Sequence, residues 1–153
     1  MTWSVFAWMW VAAIAPLGAA SQKADSVPEA KIAQAFEQYE RVRSALATDA
    51  MTGVKEAATA LIPLAKELGG ADAGTAATKL AAATTLKAAR THFGEVSEAL
   101  VETFLAAGLP GVHGFTCAMV KKPWAQKGEK TQNPYYGKTM ATCGVPLKTT
   151  VAK

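Results

Sequence analysis

Apolar residues recur at three- and four-residue spacing from Ile32 to Phe104, and the period stops at Gly108-Leu109-Pro110. A stripe of that spacing has to be buried as one face of a helix, so it constrains the fold more than any other feature of the chain. Ile32, Ala35, Phe36, Tyr39, Val42 and Leu46 make the first stripe. Ser26 stands where it can cap that helix, Pro28 suits its first turn, and Glu29 suits the positive end of the dipole. Thr48-Asp49 ends it. Val54, Ala57, Ala58, Leu61, Leu64, Ala65 and Leu68 form a second stripe that Gly69-Gly70 closes, with Pro63 inside it as an expected kink.

A third pattern runs from Asp72 to Ala107 through Leu80, Ala83, Leu86, Phe93, Val96, Leu100 and Phe104. Unbroken, it would extend about 54 Å against about 30 Å for the first helix. The mismatch predicts a break near Thr84-Thr85 or at Gly94. The expectation is therefore an all-α fold: an antiparallel bundle of three or four helices over residues 21–108. The outer-face charges Glu37, Glu40, Arg41 and Arg43 read as solvated surface. His92 has Ala88 and Val96 at i−4 and i+4, so it reads as an ordinary helix histidine.

Beyond Pro110 glycine and proline come too often for long helices. Residues 109–153 read as an irregular segment packed on the bundle within the same domain. Such a long loop needs something to fix it. It holds both cysteines, as Cys117-x-Met119 and Met140-x-x-Cys143, with Trp124 and Asn133-Pro134-Tyr135-Tyr136-Gly137 between them.

The first twenty residues carry no charged side chain and end in Gly18-Ala19-Ala20, the layout of a secretory signal peptide cleaved before Ser21. The expected location is the periplasm or the exterior, an oxidising compartment. The apolar run is short for a membrane span, so no membrane association is expected after cleavage. From Ser21 to Gly108 there are nine Lys/Arg against eleven Asp/Glu; from Leu109 onward, seven Lys against Glu129. A basic end on an acidic body suits an acidic partner, and export argues against nucleic acid.

Two agents could fix the segment. A Cys117–Cys143 disulfide is the usual fate of two cysteines in an exported protein, and its closure contributes roughly 3.5 kcal/mol on the loop-entropy scale. Alternatively, soft sulfur ligands select Cu(I) or Ag(I) over hard cations. Cys117, Met119, Met140 and Cys143 would be the ligands, with His113 as a possible nitrogen donor. Trp124 could then lay its ring near the ion, and Tyr135 and Tyr136 could line the surround. Each residue also has an ordinary packing role available to it. No serine–histidine pair, paired carboxylates, glycine-rich phosphate loop or C-x-x-C is present, so no enzyme is expected.

The combination of C-x-M, Trp124, N-P-Y-Y-G and M-x-x-C-G resembles a bacterial family of exported domains catalogued as domain of unknown function 3347. The resemblance extends back through Phe36-x-x-Tyr39, Ala45-Leu46-Ala47-x-Asp49 and Arg90-x-x-Phe93, from about Val27 to Val145. That family also occurs fused to adaptor subunits of copper and silver efflux systems. The resemblance implies a periplasmic role in copper handling, envelope or efflux proteins as partners, and Cys117, Met119, Met140 and Cys143 as ligands. Many members carry His-Cys-Pro-Met where this chain has Thr116-Cys117-Ala118-Met119. The competing expectation is a disulfide-stapled, non-enzymatic structural or interaction module. Oligomeric state is open.

Overall fold

In a computed structural model, residues 27–147 are described; the signal-peptide segment and the Ser26 cap lie outside them. Helix α1 spans Glu29–Ala47, with Pro28 at its N-terminal boundary. Helix α2 spans Val54–Ala82 and departs from helical geometry only at Gly70, whose φ of 78° is open to glycine and strained for other residues. Pro63 therefore sits within helical backbone, and the interruption falls at the glycine pair. Helix α3 spans Leu86–Ala106, capped by the Thr85 hydroxyl accepting from Ala88 N at 3.2 Å. Of the two expected breaks, the one at Ala83–Thr85 is observed, and Gly94 stays inside α3.

The all-α expectation is overturned after Pro110. Val112–Cys117 and Lys122–Lys127 are strands β1 and β2, and Val145–Pro146 is a short β3. They form an antiparallel sheet in the order β2-β1-β3, so the fold is α+β rather than a helical bundle. The register sets Val112 opposite Lys127 and Cys117 opposite Lys122, while β3 meets Phe115 and Thr116. The punctuating residues have sheet roles. Gly114 lies where a Cβ would come within 2.7 Å of Leu105 Cδ1, which lets the strand press on α3. Pro123 lies on the outer strand β2, where a missing N–H costs no ladder bond.

The outer edge of β2 is closed by tyrosines rather than by another strand. Ala125 N donates to Tyr39 Oη at 3.2 Å, and Tyr135 Oη donates to the Pro123 carbonyl. Tyr39 Oη also pairs with Ser97 Oγ at 2.7 Å. Burial pushes the Tyr39 and Tyr135 hydroxyls well above the usual phenol range, so both stay protonated. At the opposite edge β3 is only two residues long and ends in proline, which limits further pairing.

Helix α3 is central, touching α1, α2, β1 and β2. Aromatic rings connect the layers: Phe36 meets Phe104 at 5.3 Å, Tyr39 meets Phe93 at 4.9 Å, and Phe93 meets Tyr135 at 6.0 Å. Phe115 and Trp124, opposite each other across β1 and β2, stack at 5.4 Å. Together with the alanine-rich faces of α1 and α2, these rings make one continuous core.

Candidate functional site

The segment from Lys130 to Cys143 wraps the sheet and is fastened at three points. The first is Gln126, buried on β2. Its Oε1 accepts from Trp124 Nε1 and Gln132 N, each at 3.0 Å, and its Nε2 donates to the carbonyls of Gly128 at 3.0 Å and Lys130 at 2.8 Å. The second is Arg43, which is 2% exposed rather than part of a solvated face. Its guanidinium forks onto Glu40 at 2.7 and 2.8 Å and donates to the Gln132 carbonyl at 3.0 Å. Arg43 falls four residues after Tyr39 and three before Leu46, so its place on the buried stripe follows from helical spacing.

The third is Arg90. Its Nε donates to the Pro134 carbonyl at 2.9 Å, and its Nη2 to the Leu46 carbonyl at 2.9 Å and to Asp49. Leu46 lies in the last turn of α1, where a cation suits the negative end of the helix dipole, and its carbonyl also accepts from Asp49 N at 3.2 Å. Arg90 and then the Lys138 backbone N–H hold the Asp49 carboxyl below the usual range. Gly137 closes the cluster: a Cβ there would lie 1.9 Å from Asp49 Oδ1, so no side chain fits.

Asn133 sits at the centre, fully buried. Its Oδ1 accepts from Tyr135 N at 2.8 Å, forming an Asx turn. Its Nδ2 donates to the Cys143 carbonyl at 2.7 Å and approaches Cys117 Sγ at 3.4 Å. The one amide therefore links the Cys117 sulfur to the Cys143 backbone, and the two cysteines are not bonded to each other.

The other expected site residues divide. Cys117 is completely buried and Cys143 half-buried. Met140 is half-buried and joins Cys143 in a turn, Cys143 N donating to its carbonyl at 3.0 Å. Met119 is not alongside them. Strand β1 ends at Cys117, so the strand period that would put Met119 on the same face no longer applies, and Met119 is 62% exposed at the hairpin tip. His113 shares a strand face with Cys117, but Phe115 lies between them and the separation is about 13 Å. Trp124 is buried with Phe115 stacked on it and its N–H held by Gln126. Tyr135 is buried in the same stack, and Tyr136 is half-buried on the surface nearby.

Among the described residues, no three histidine, cysteine or acidic side chains gather as a metal-ligating group, and no helix is long and apolar enough to cross a membrane. No family profile matches the chain, and no curated protein or solved structure is significantly similar to it. Function is therefore argued from the chain's own residues. A soft ion fits the donors Cys117, Cys143 and Met140 by their chemistry. Met119 is exposed, and His113 lies about 13 Å along the strand from Cys117.

Proposed function

We propose that this chain is a non-enzymatic soft-metal-binding domain of the bacterial cell envelope, holding Cu(I) or Ag(I) between Cys117 and Cys143 with Met140 as third donor. The observation that supports it is the Asn133 amide, which contacts both the Cys117 sulfur and the backbone carbonyl of Cys143. The ion would supply a soft centre for thiolate and thioether sulfur. The protein's part is to hold the sulfurs and direct an amide N–H at one of them, the contact that outer-shell groups make to ligands. Buried Trp124 and Tyr135 keep water from that side. The family resemblance points the same way and adds a copper-handling or efflux partner.

Anaerobic titration of the reduced mature chain with Cu(I), against a chelator of known affinity, tests this. One equivalent should bind. Binding should be lost in Cys117→Ser and Cys143→Ser, weakened in Met140→Leu and unchanged in Met119→Leu and His113→Gln. Equal affinity in wild type and the double serine variant would refute it.

A second reading is a Cys117–Cys143 disulfide fastening a structural or interaction module, which needs the two cysteines to move closer than the free, non-bonded arrangement described. Thiol labelling and mass analysis of protein extracted from its compartment separate the two. Labelled cysteines favour the metal, and resistance to labelling with a mass lower by two hydrogens favours the staple.

A further inference from the structure

Gly69, Gly70 and Gly74 hold a corner in the middle of α2. Gly70 takes φ 78° and ψ −171°, a region open in practice only to glycine. The other two let the halves of the helix close on each other. A Cβ at Gly69 would fall 2.8 Å from Ala73 Cβ, a pair that a regular helix keeps about 5–6 Å apart. A Cβ at Gly74 would fall 2.9 Å from Lys66 Cβ. Residues eight apart on a straight helix are separated by roughly 12 Å, so the chain folds back sharply here. Yet both flanks are helical up to the corner, and turning Gly70 alone to helical φ and ψ would join them into one rod of 29 residues, about 43 Å long.

The corner also divides the contacts of the fold. Before it lie α1 and the first half of α2, tied to each other by Lys31 and Glu67. After it lie the second half of α2, α3 and the sheet. Much of the core forms between these two units: Phe36 packs on Phe104, Tyr39 bonds Ser97 and Ala125, Arg43 bonds Gln132, and Asp49 bonds Arg90. None of these pairs lies at the corner. A second copy carries the same surfaces, so each pair can form between two chains as it does within one. Straightening gives up only the local contacts at Gly69 and Gly74. A chain whose core can be rebuilt with an identical partner at the cost of one hinge is suited to domain swapping.

We propose that two copies of this chain can exchange residues 29–69 through a straightened α2, forming a two-fold dimer, and that the corner glycines hold the balance toward the monomer. Gly70→Ala is strained in the corner and favoured in the rod. Gly74→Ala meets Lys66 in the corner and is freed of it in the rod. The exchange is independent of the metal reading, because Cys117, Asn133, Met140 and Cys143 all belong to the unit after the corner and stay together in either form.

The mature chain and the two variants are refolded from urea at low and at high protein concentration, with a reductant present so that no disulfide joins the copies. Mass is read by size-exclusion chromatography with light scattering. Wild type should be chiefly monomeric. Each variant should favour the dimer by roughly tenfold or more, since strain is relieved in both chains at once. The dimer should keep native tryptophan fluorescence and persist on dilution, because reverting requires the units to separate. Inserting Gly-Ser-Gly-Ser after residue 70 in the Gly70→Ala chain should restore the monomer, since a slack connection lets one chain close on itself. Variants that stay monomeric at every concentration, or that dimerise no more than wild type, would overturn the proposal. So would a dimer that the insertion leaves intact, which would place the contact on the surface. Failure of both variants to fold would overturn it as well, because the rod form would then lack a stable core.

Discussion

Replacing Asn133 by alanine removes the group on which both cysteines and the Asx turn depend. The Tyr135 N–H loses an acceptor at 2.8 Å and the Cys143 carbonyl a donor at 2.7 Å. A buried polar group left unpaired costs about 1–3 kcal/mol. Tyr135 is buried and Cys143 only half so, which places the second loss toward the low end of that range. The contact to Cys117 Sγ at 3.4 Å is weak and adds little. The expected total is about 3 kcal/mol, a large share of the roughly 5–15 kcal/mol that stabilises a domain. Urea unfolding followed by tryptophan fluorescence is well suited, because Trp124 is the only tryptophan after residue 20. Asn133→Asp sharpens the test. It keeps the acceptor for Tyr135 but sets an oxygen against the Cys143 carbonyl, so the folded state favours the protonated acid. Its pKa is raised on folding, so the variant should be most stable at low pH and lose stability as pH rises through the carboxyl range. An alanine variant less than about 1 kcal/mol weaker than wild type would refute the fastening role, since that is the least one stranded buried group should cost. So would an aspartate variant with the wild-type pH profile.

Gly94→Ala should stabilise by up to about 1 kcal/mol through helix propensity, raising the melting point by a few degrees in calorimetry. Gly137→Ala should do the opposite and cost more than about 2 kcal/mol, because backbone at a φ of 56° must take a Cβ placed 1.9 Å from Asp49 Oδ1. Tyr39→Phe leaves Ala125 N–H and Ser97 Oγ without their partner. It should cost about 2–4 kcal/mol in urea unfolding, with faster hydrogen exchange at Ala125 than at the ladder amides of β2. The Asp49 carboxyl is held low chiefly by Arg90, so its contribution is present above the unfolded carboxyl pKa of about 3.9 and is lost as pH falls through the folded value. Asp49→Asn, which still tolerates the left-handed φ of 59°, should differ from wild type at neutral pH and converge with it below about pH 4.

The helices were legible because their stripes are long: Ile32 to Leu46 and Leu86 to Phe104 repeat often enough to exclude other periods. The sheet was not, for reasons visible in its residues. Each main strand is six residues long, and β1 alternates only across Phe115 and Cys117, because Gly114 has no side chain to mark the other face. The hairpin turn carries none of the Asn-Gly or Asp-Gly signals. Its left-handed residue is Lys121, with a φ of 54°. Nor could strand pattern show that Tyr39, from the first helix, closes the edge of β2. Here helix and sheet depend on each other, and only the tertiary contact makes the strand readable.

The candidate site was half legible for a related reason. Cysteine and methionine draw attention by their chemistry, and Asn133 touches the Cys117 sulfur and the Cys143 backbone, whereas the strand period that would place Met119 beside Cys117 ends two residues before it. The residues that fasten the segment carrying Cys143 are an asparagine, two arginines and a glutamine, types that usually sit in water. Only Arg43 left a signal, its position on the buried stripe. Their burial fixes where sulfur can go. Under the proposed metal reading, an ion beside Asn133 would take the Cys117 and Cys143 thiolates first and the Met140 thioether second. That ranking makes Cys143→Ser the decisive substitution and Met119→Leu the silent one. Cu(I) affinity that fell with Met119 and survived the loss of Cys143 would mean that metal binds at the hairpin tip, with Asn133 serving the fold alone.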